Sequence, residues 1–389
     1  MKYMGNKGKM LSTLGDIISL HSKNAERIAD PFCGSAAVSW HLAETTNKEI
    51  ISGDIQSFAV ARASAVIERS EAINPTPMLS HWFNRARLIV DSVANHFPNH
   101  LKSIEPDLTE PALIKQVVNQ SRKFCQDVLP VVFQGFGGAW PISKAYGGYY
   151  FSPVQALVFD ALRQTLPSDA INHKIALAAL VEATSRAAAS PGHTAQPFQP
   201  TESSAKYIIE AWLRNPWGLV EVAVTDIASR SAKNIGQGIL GDFTKTISKL
   251  QAGDLVFADP PYSGVHYSRF YHVLETITRG NEFQPEGRGR YPAIEDRPSS
   301  AFSKKSEACS AAKKLLESCA EKNLILVLTF PTEDASNGLT AKDFIDMGRP
   351  TFSRIQFEEV RSDFSTLGGN KKHRAARKLC GESIITFLP

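Results

Sequence analysis

The chain has 389 residues, 43% of them apolar, and a formal net charge of +4; this length suggests about two or three domains with an ordinary core. Near-balanced charge excludes a globally basic nucleic-acid binder, so any surface for nucleic acid must be local. Five scattered cysteines, Cys33, Cys125, Cys309, Cys319 and Cys380, are odd in number and lack zinc or redox spacing, which excludes a disulfide framework and favours reduced, buried thiols. In chain order, the polar, charged amino terminus has no apolar stretch suited to secretion or a membrane span, which predicts a cytoplasmic protein without membrane contact. Residues 26–29 then read as a short strand running into Asp30-Pro31-Phe32-Cys33-Gly34-Ser35-Ala36-Ala37-Val38, a small-residue turn followed by a helix. Small side chains let backbone N–H groups approach a ligand closely, and the helix start favours a carboxylate. A second strand, residues 50–53, ends at Asp54, about the 20-residue offset at which dinucleotide folds set an acid against ribose hydroxyls. Both features point to a nucleoside-bearing cofactor.

Residues 57–69 have helical character, and Asn74-Pro75-Thr76-Pro77 breaks it, marking entry into an insert. Apolar residues recur at helical intervals in 78–97, 110–129, 153–166, 171–189 and 201–213, so the insert is expected to be mainly helical. Within it, the glycine-and-aromatic stretch 133–141, continuing to 147–151, suits either a nucleic-acid backbone or a packed turn. The polar break 190–198 fits a buried structural loop and a DNA-facing loop equally. The exit is expected near Asn215-Pro216-Trp217-Gly218, followed by a strand over 219–224. These boundaries give three segments: 1–73, the inserted 74–218, and 219–389.

The most informative residues are Asp259-Pro260-Pro261-Tyr262, at the end of the buried strand 254–258. Neither proline has an N–H, so the chain must turn at a strand's carboxyl end, where open parallel sheets bind ligands. The Asp259 carboxylate and the Pro260 carbonyl become two fixed acceptors, suited to the two donors of a planar amino group. Tyr262 offers a ring on which a heterocycle can stack, typically worth about 1–3 kcal/mol.

Residues 263–279 carry polar aromatics expected to cover the site, and 280–305, without apolar period, reads as a mobile loop. His272 and Glu275 lie one turn apart on a helix; a metal site needs more ligands, so they read as helix surface or structural polar contacts and no metal is expected. A helix over 306–321 and strands over 324–330, 352–360 and 383–388 close the chain. Local basic candidates for DNA are Lys371, Lys372, His373, Arg374, Arg377 and Lys378, with the pairs Arg288/Arg290 and Lys304/Lys305.

Four separated matches make the chain resemble the Dam-like, D12 class DNA adenine-N6 methyltransferases. They are Lys2-Tyr3-Met4-Gly5-Asn6-Lys7, the turn from Asp30 to Val38, Gly241-Asp242-Phe243, and Asp259 to Tyr262. Residues 364–372 are a fifth, less specific match. The resemblance implies an α/β fold: a Rossmann-like methyltransferase sheet with an inserted, mainly helical target-recognition domain. It implies S-adenosylmethionine as cofactor, double-stranded DNA as partner, and a cognate restriction endonuclease or defence system as a further one. It implies catalytic roles for Asp259, Pro260, Pro261 and Tyr262, and cofactor contacts from Tyr3, Lys7, Asp30, Phe32, Gly34, Ser35, Asp54, Asp242, Phe243 and Asp259. The expected reaction is direct methyl transfer to the N6 amino group of an extruded adenine. Transfer to the cytosine amino group, or an inactive DNA-binding relative, are the alternatives. Ala36 stands where the family usually has a second glycine; a helical backbone tolerates alanine there, whereas positive φ strains it.

Overall fold

The computed structural model describes residues 1, 3, 7–103, 110–264, 266–332, 335–362 and 380–389. They divide into two compact units. One comprises Tyr3–Ala72, Arg230–Ser268 and Pro298–Pro389; the other comprises Ile73–Ser229 and Arg269–Arg297 with Met1.

The first unit is built on a seven-stranded sheet. Its strands are β1 Arg27–Asp30, β2 Glu49–Asp54, β3 Gln237–Leu240, β4 Leu255–Ala258, β5 Ile325–Pro331, β6 Arg354–Ser362 and β7 Cys380–Leu388. Their spatial order is β3-β2-β1-β4-β5-β7-β6, parallel from β3 to β5, with β7 antiparallel to both its neighbours. β4 is buried along its whole length, as its run Leu-Val-Phe-Ala requires of a central parallel strand. Ala29 of β1 pairs with Val256 of β4, so the two turns that carry the sequence motifs emerge side by side. Asp254 secures the opposite end: its carboxylate accepts from the N–H groups of Arg27 at 2.9 Å and Gln251 at 2.9 Å. Leu315, Leu316, Leu326, Leu328, Phe330, Phe344 and Phe387 are in the core on one side of this sheet. Burial of each such side chain contributes roughly 1.5–3 kcal/mol. β3 was not legible in the sequence; it is a four-residue strand, Gln-Gly-Ile-Leu, at the sheet's edge and only partly buried.

The second unit is mainly helical. Thr76–Ala94, Pro111–Lys123, Pro153–Gln164, Ala170–Ala187 and Ala205–Trp212 match the expected helical stretches. The helix Pro153–Gln164 starts at a reciprocal cap between Ser152 and Gln155.

One expectation needs correction, and two readings left open in the sequence take their packed alternative. Residues 219–224 are not a strand but lie inside the helix Pro216–Ser229. Their valines suggest a strand locally, yet Val220, Ala223, Val224 and Ile227 are buried at helical spacing while Glu221 and Val222 are exposed. The stretch 133–151 is largely packed core: Phe133 stacks on Trp140 at 4.2 Å, and Tyr146, Tyr150 and Phe151 are fully buried. The break 190–198 is the structural loop of the two alternatives, since the Thr194 carbonyl accepts from both Tyr150 and His272. No helix among the described residues is long and apolar enough to cross a membrane.

Candidate active site

At the carboxyl ends of β1 and β4 lies a cavity of about 470 Å³ within the sheet-bearing unit. Strand order reverses there, because the chain passes from β1 to β2 on one side while β4 pairs on the other. This is the crevice where open α/β sheets take their ligands. Its walls include all the residues expected on sequence grounds for the cofactor and the catalytic turn: Tyr3, Lys7, Asp30, Phe32, Gly34, Ser35, Asp54, Asp242, Phe243, Asp259, Pro260, Pro261 and Tyr262.

The turn after β1 is tightly stitched. The Cys33 N–H donates to the Gly53 carbonyl at 3.0 Å, and the Asp54 carboxylate accepts from the N–H groups of Gly34 at 3.0 Å and Gln56 at 2.9 Å. Asp54 thus fixes the turn as well as facing the cavity. Gly34 has φ +46°, and a Cβ there would lie 2.6 Å from the Tyr3 hydroxyl, so glycine is required on both counts. Ala36 has φ 63°, the strained alternative raised by its methyl group. Asp30 is buried; Ser39 donates to its Oδ2 at 2.7 Å, and its Oδ1 has no hydrogen-bond partner among the described residues. Burial, aided by the nearby Asp259 and Asp54 charges and opposed by the Ser39 hydrogen bond, pushes this carboxyl up to about 7.

The turn after β4 is held by Asn337, whose Nδ2 donates to the Pro261 carbonyl at 3.1 Å and whose N–H donates to the Tyr262 carbonyl at 3.3 Å. Among the described residues none donates to the Pro260 carbonyl, which remains as an acceptor. Asp259 is 19% exposed, and its Oδ1 takes two contacts, Lys7 Nζ at 3.0 Å and the Thr329 hydroxyl at 2.9 Å. No described residue donates to Oδ2. Lys7 is 4% exposed and also pairs with Glu382. Burial disfavours its ammonium, but Asp259 and Glu382 outweigh burial and raise the lysine above its usual range. The Tyr262 ring is partly buried, edge-on to Phe330 at 6.5 Å.

Phe32, Phe243 and Phe302 meet with ring centroids 5.5–6.0 Å apart and form an aromatic part of the wall. Asp242 caps the short helix Phe243–Ile247 through the Thr244 N–H; burial works against its charge, but bonds from Thr244 and Lys245 prevail and lower its carboxyl. Sequence reasoning missed Thr329, Asn337, Phe302 and Glu382. Phe302 belongs to 280–305, read above as a loop without apolar period. Its signal was the lone aromatic just ahead of the helix Ala308–Glu321.

Of the described basic candidates for DNA, Lys304 lines this cavity, where it pairs with Glu307 at 3.1 Å, while Lys305, Arg288 and Arg290 do not line it. Arg288 is exposed in the helical unit. Arg290 is half-buried there, its guanidinium 4.2 Å from the Tyr149 ring and bonded to the Ala145 and Lys144 carbonyls. Lys371, Lys372, His373, Arg374, Arg377 and Lys378 lie outside the described residues, as do Lys2, Met4, Gly5, Asn6 and the stretch 364–372. His272 is a buried structural contact: its Nε2 faces the Thr194 carbonyl at 2.7 Å and its Nδ1 the Tyr146 hydroxyl at 2.9 Å. Among the described residues no group of three or more His, Cys, Asp or Glu side chains is arranged for a metal ion. Cys33, Cys125 and Cys319 are buried free thiols and Cys309 is exposed; the Cys380 side chain lies outside the described set.

A parallel sheet of this order, with β7 reversed between β5 and β6, is the Rossmann-like methyltransferase architecture. Within that class, the family model described as "D12 class N6 adenine-specific DNA methyltransferase" matches residues 3–92 and 155–327, and the chain belongs to this family. It is also similar to Modification methylase LlaI of Lactococcus lactis subsp. lactis, 23% identical over 321 residues, which cover 79% of this chain and 43% of that protein. The chain thus spans less than half the length of that relative.

Proposed function

We infer that this chain transfers a methyl group from S-adenosylmethionine to the N6 amino group of adenine within a specific sequence of double-stranded DNA. The observation that carries this reading is the turn after β4. There Asp259 Oδ2 and the Pro260 carbonyl are left as acceptors beside Tyr262, next to the glycine turn of β1. Adenine's amino nitrogen is a poor nucleophile because its lone pair is delocalised into the ring. Two acceptors engaging its two hydrogens favour a more tetrahedral nitrogen with the lone pair directed out of the ring. Stacking on Tyr262 offsets part of the few kcal/mol, about, that extrusion of the base costs. Alignment of this kind supplies about 7–11 kcal/mol in favourable cases.

The cavity fits the cofactor on two counts. Asp30 Oδ1 is a buried acceptor without a donor, which the ammonium of an amino-acid moiety satisfies. Gly34 brings bare backbone to the wall, opposite the aromatic surface of Phe32, Phe243 and Phe302 suited to a purine. Tyr3, Lys7, Asp30, Phe32, Gly34, Ser35, Asp54, Asp242 and Phe243 are the residues that would hold it. When bound, S-adenosylmethionine supplies an electrophilic methyl group. The helical unit, with exposed Arg288, is assigned to DNA contact and target recognition, and the basic residues 371–378 to further DNA contact, whereas Arg290 already spends its guanidinium on Tyr149 and two backbone carbonyls. In a cell the modified sequence would protect DNA from a cognate restriction endonuclease or defence system.

The test is transfer of labelled methyl to unmethylated duplex DNA, with Asp259→Ala as control and sequencing of the modified bases. Label at adenine N6, lost in the variant, is expected. Label on cytosine, or DNA binding without any transfer, overturns the reading.

A further inference from the structure

One charged group behind the cavity wall has no part in the transfer derived above. Glu382, on β7, is 3% exposed and pairs with Lys7, while its Oε2 is buried with no partner among the described residues. Lys7 in turn contacts Asp259 Oδ1, and the Tyr262 hydroxyl feels the charges of all three groups. An ammonium and one carboxylate would already make a neutral pair. A second buried carboxylate with an unsatisfied oxygen is costly, and apolar replacement of such groups is often stabilising. Glu382 therefore has no evident structural reason to be charged. Its position does have a chemical one. As methylation proceeds, the amine gives its lone pair to the new N–C bond while the broken bond's pair stays on the leaving sulfur. The nitrogen is then cationic until one amino hydrogen departs as a proton through Asp259 Oδ2 to solvent.

Resting on the methyl-transfer reading, we propose that Glu382 is a positioning residue acting through Lys7. It fixes the ammonium that occupies Asp259 Oδ1, commits Oδ2 to the target amine, and gives the three-residue cluster a net negative charge that offsets the positive charge developing on nitrogen. Burial and Asp259 raise the Glu382 carboxyl, while the Lys7 ammonium and its hydrogen bond favour the charge; with both carboxylates ionised and one ammonium the cluster carries −1 before transfer, and with the cationic amine the site is neutral. With Glu382 neutralised, the same site would carry one uncompensated positive charge in a water-poor pocket.

The test compares the wild-type protein with Glu382→Gln, which keeps the shape and removes the charge, and Glu382→Asp, which keeps the charge. Steady-state kinetics are expected to show kcat reduced about 30- to 100-fold in Glu382→Gln, with KM for DNA within about threefold and partial recovery in Glu382→Asp. A readout independent of turnover is the Lys7 ammonium resonance in heteronuclear NMR, expected to titrate at lower pH in Glu382→Gln than in wild type. Calorimetric cofactor binding, unchanged among the three, shows that the fold is intact. An active wild type with Glu382→Gln matching it in kcat and in the Lys7 titration overturns this inference alone. A kcat loss accompanied by equal loss of cofactor binding also overturns it, because the role would then be structural. A wild type that modifies no adenine overturns the parent reading instead.

Discussion

Asp30 in the sheet-bearing unit and Asp160 in the helical unit are both fully buried, and burial pushes both carboxyls up to about 7. Their surroundings differ in one respect. Asp160 spends one oxygen on the Ile142 N–H at 2.9 Å and the other on the Ser143 N–H at 2.7 Å, holding the start of the helix Pro141–Tyr146. Asp30 has Ser39 on one oxygen and nothing on the other. The same contrast holds for whole clusters. His272 in the helical unit has a protein partner on each ring nitrogen, whereas beside Lys7 the buried Glu382 Oε2 has no partner among the described residues and the part-exposed Asp259 has described donors on Oδ1 alone. A perturbed pKa alone does not separate the two carboxyls, which differ instead in how many of their oxygens the described residues satisfy; a buried carboxylate oxygen without a donor is costly.

The largest effect that can sharpen this contrast is at Asp259. Replacement by alanine is expected to lower methyl transfer about 100- to 1000-fold while leaving urea unfolding within about 1 kcal/mol. A comparable loss of stability would place Asp259 with the scaffold. Asp160→Ala should show the reverse, losing about 2–4 kcal/mol of stability because two buried N–H groups are orphaned, as read by chemical denaturation.

Acid denaturation offers a third comparison. Burial lowers His272 to about 3, against the Thr194 hydrogen bond that favours its charge. A folded-state value below the unfolded one means stability is fully present above the unfolded value of about 6.5. It is lost as pH falls from there toward about 3, with a slope of at most about 1.4 kcal/mol per pH unit. Unfolding free energies of wild type and His272→Gln across this window check the slope, which the variant should flatten. Fourth, the Asp30 carboxyl must be ionised to meet an ammonium, so cofactor affinity is expected to fall below about pH 7, by up to about tenfold per unit. Asp30→Asn should bind weakly at every pH; a pH-independent wild type in calorimetry would return Asp30 to the scaffold. Smallest, Ala36→Gly should gain about 0.5–1 kcal/mol, strain relief at positive φ exceeding the added freedom of the unfolded chain.

The sheet and its cavity were largely legible because their signals are local. Buried runs such as 255–258 and the turns at Asp30 and Asp259 each declare a strand end within a few residues. The site's supports were not legible. Thr329, Asn337 and Glu382 reach the catalytic turn from other segments, and no spacing announces that a threonine on β5 will cap Asp259. Helix Pro216–Ser229 misled for the opposite reason: its β-branched residues speak for a strand over six positions, and only the longer stripe from Val220 to Ile227 reveals the helix. Arg290 shows a third limit, since a basic pair in the sequence says nothing about whether carbonyls already occupy its donors.

The ion pair between Lys7 and Glu382 joins positions 375 apart. At about 5–20 residues per second on the ribosome, that separation is roughly 20–75 s of synthesis. Until β7 is made, the ammonium lacks its Glu382 partner and β5 lacks its antiparallel neighbour. The Lys7–Glu382 pair therefore forms only after β7 has joined the sheet beside β5, long after the segment that carries Lys7 has been made.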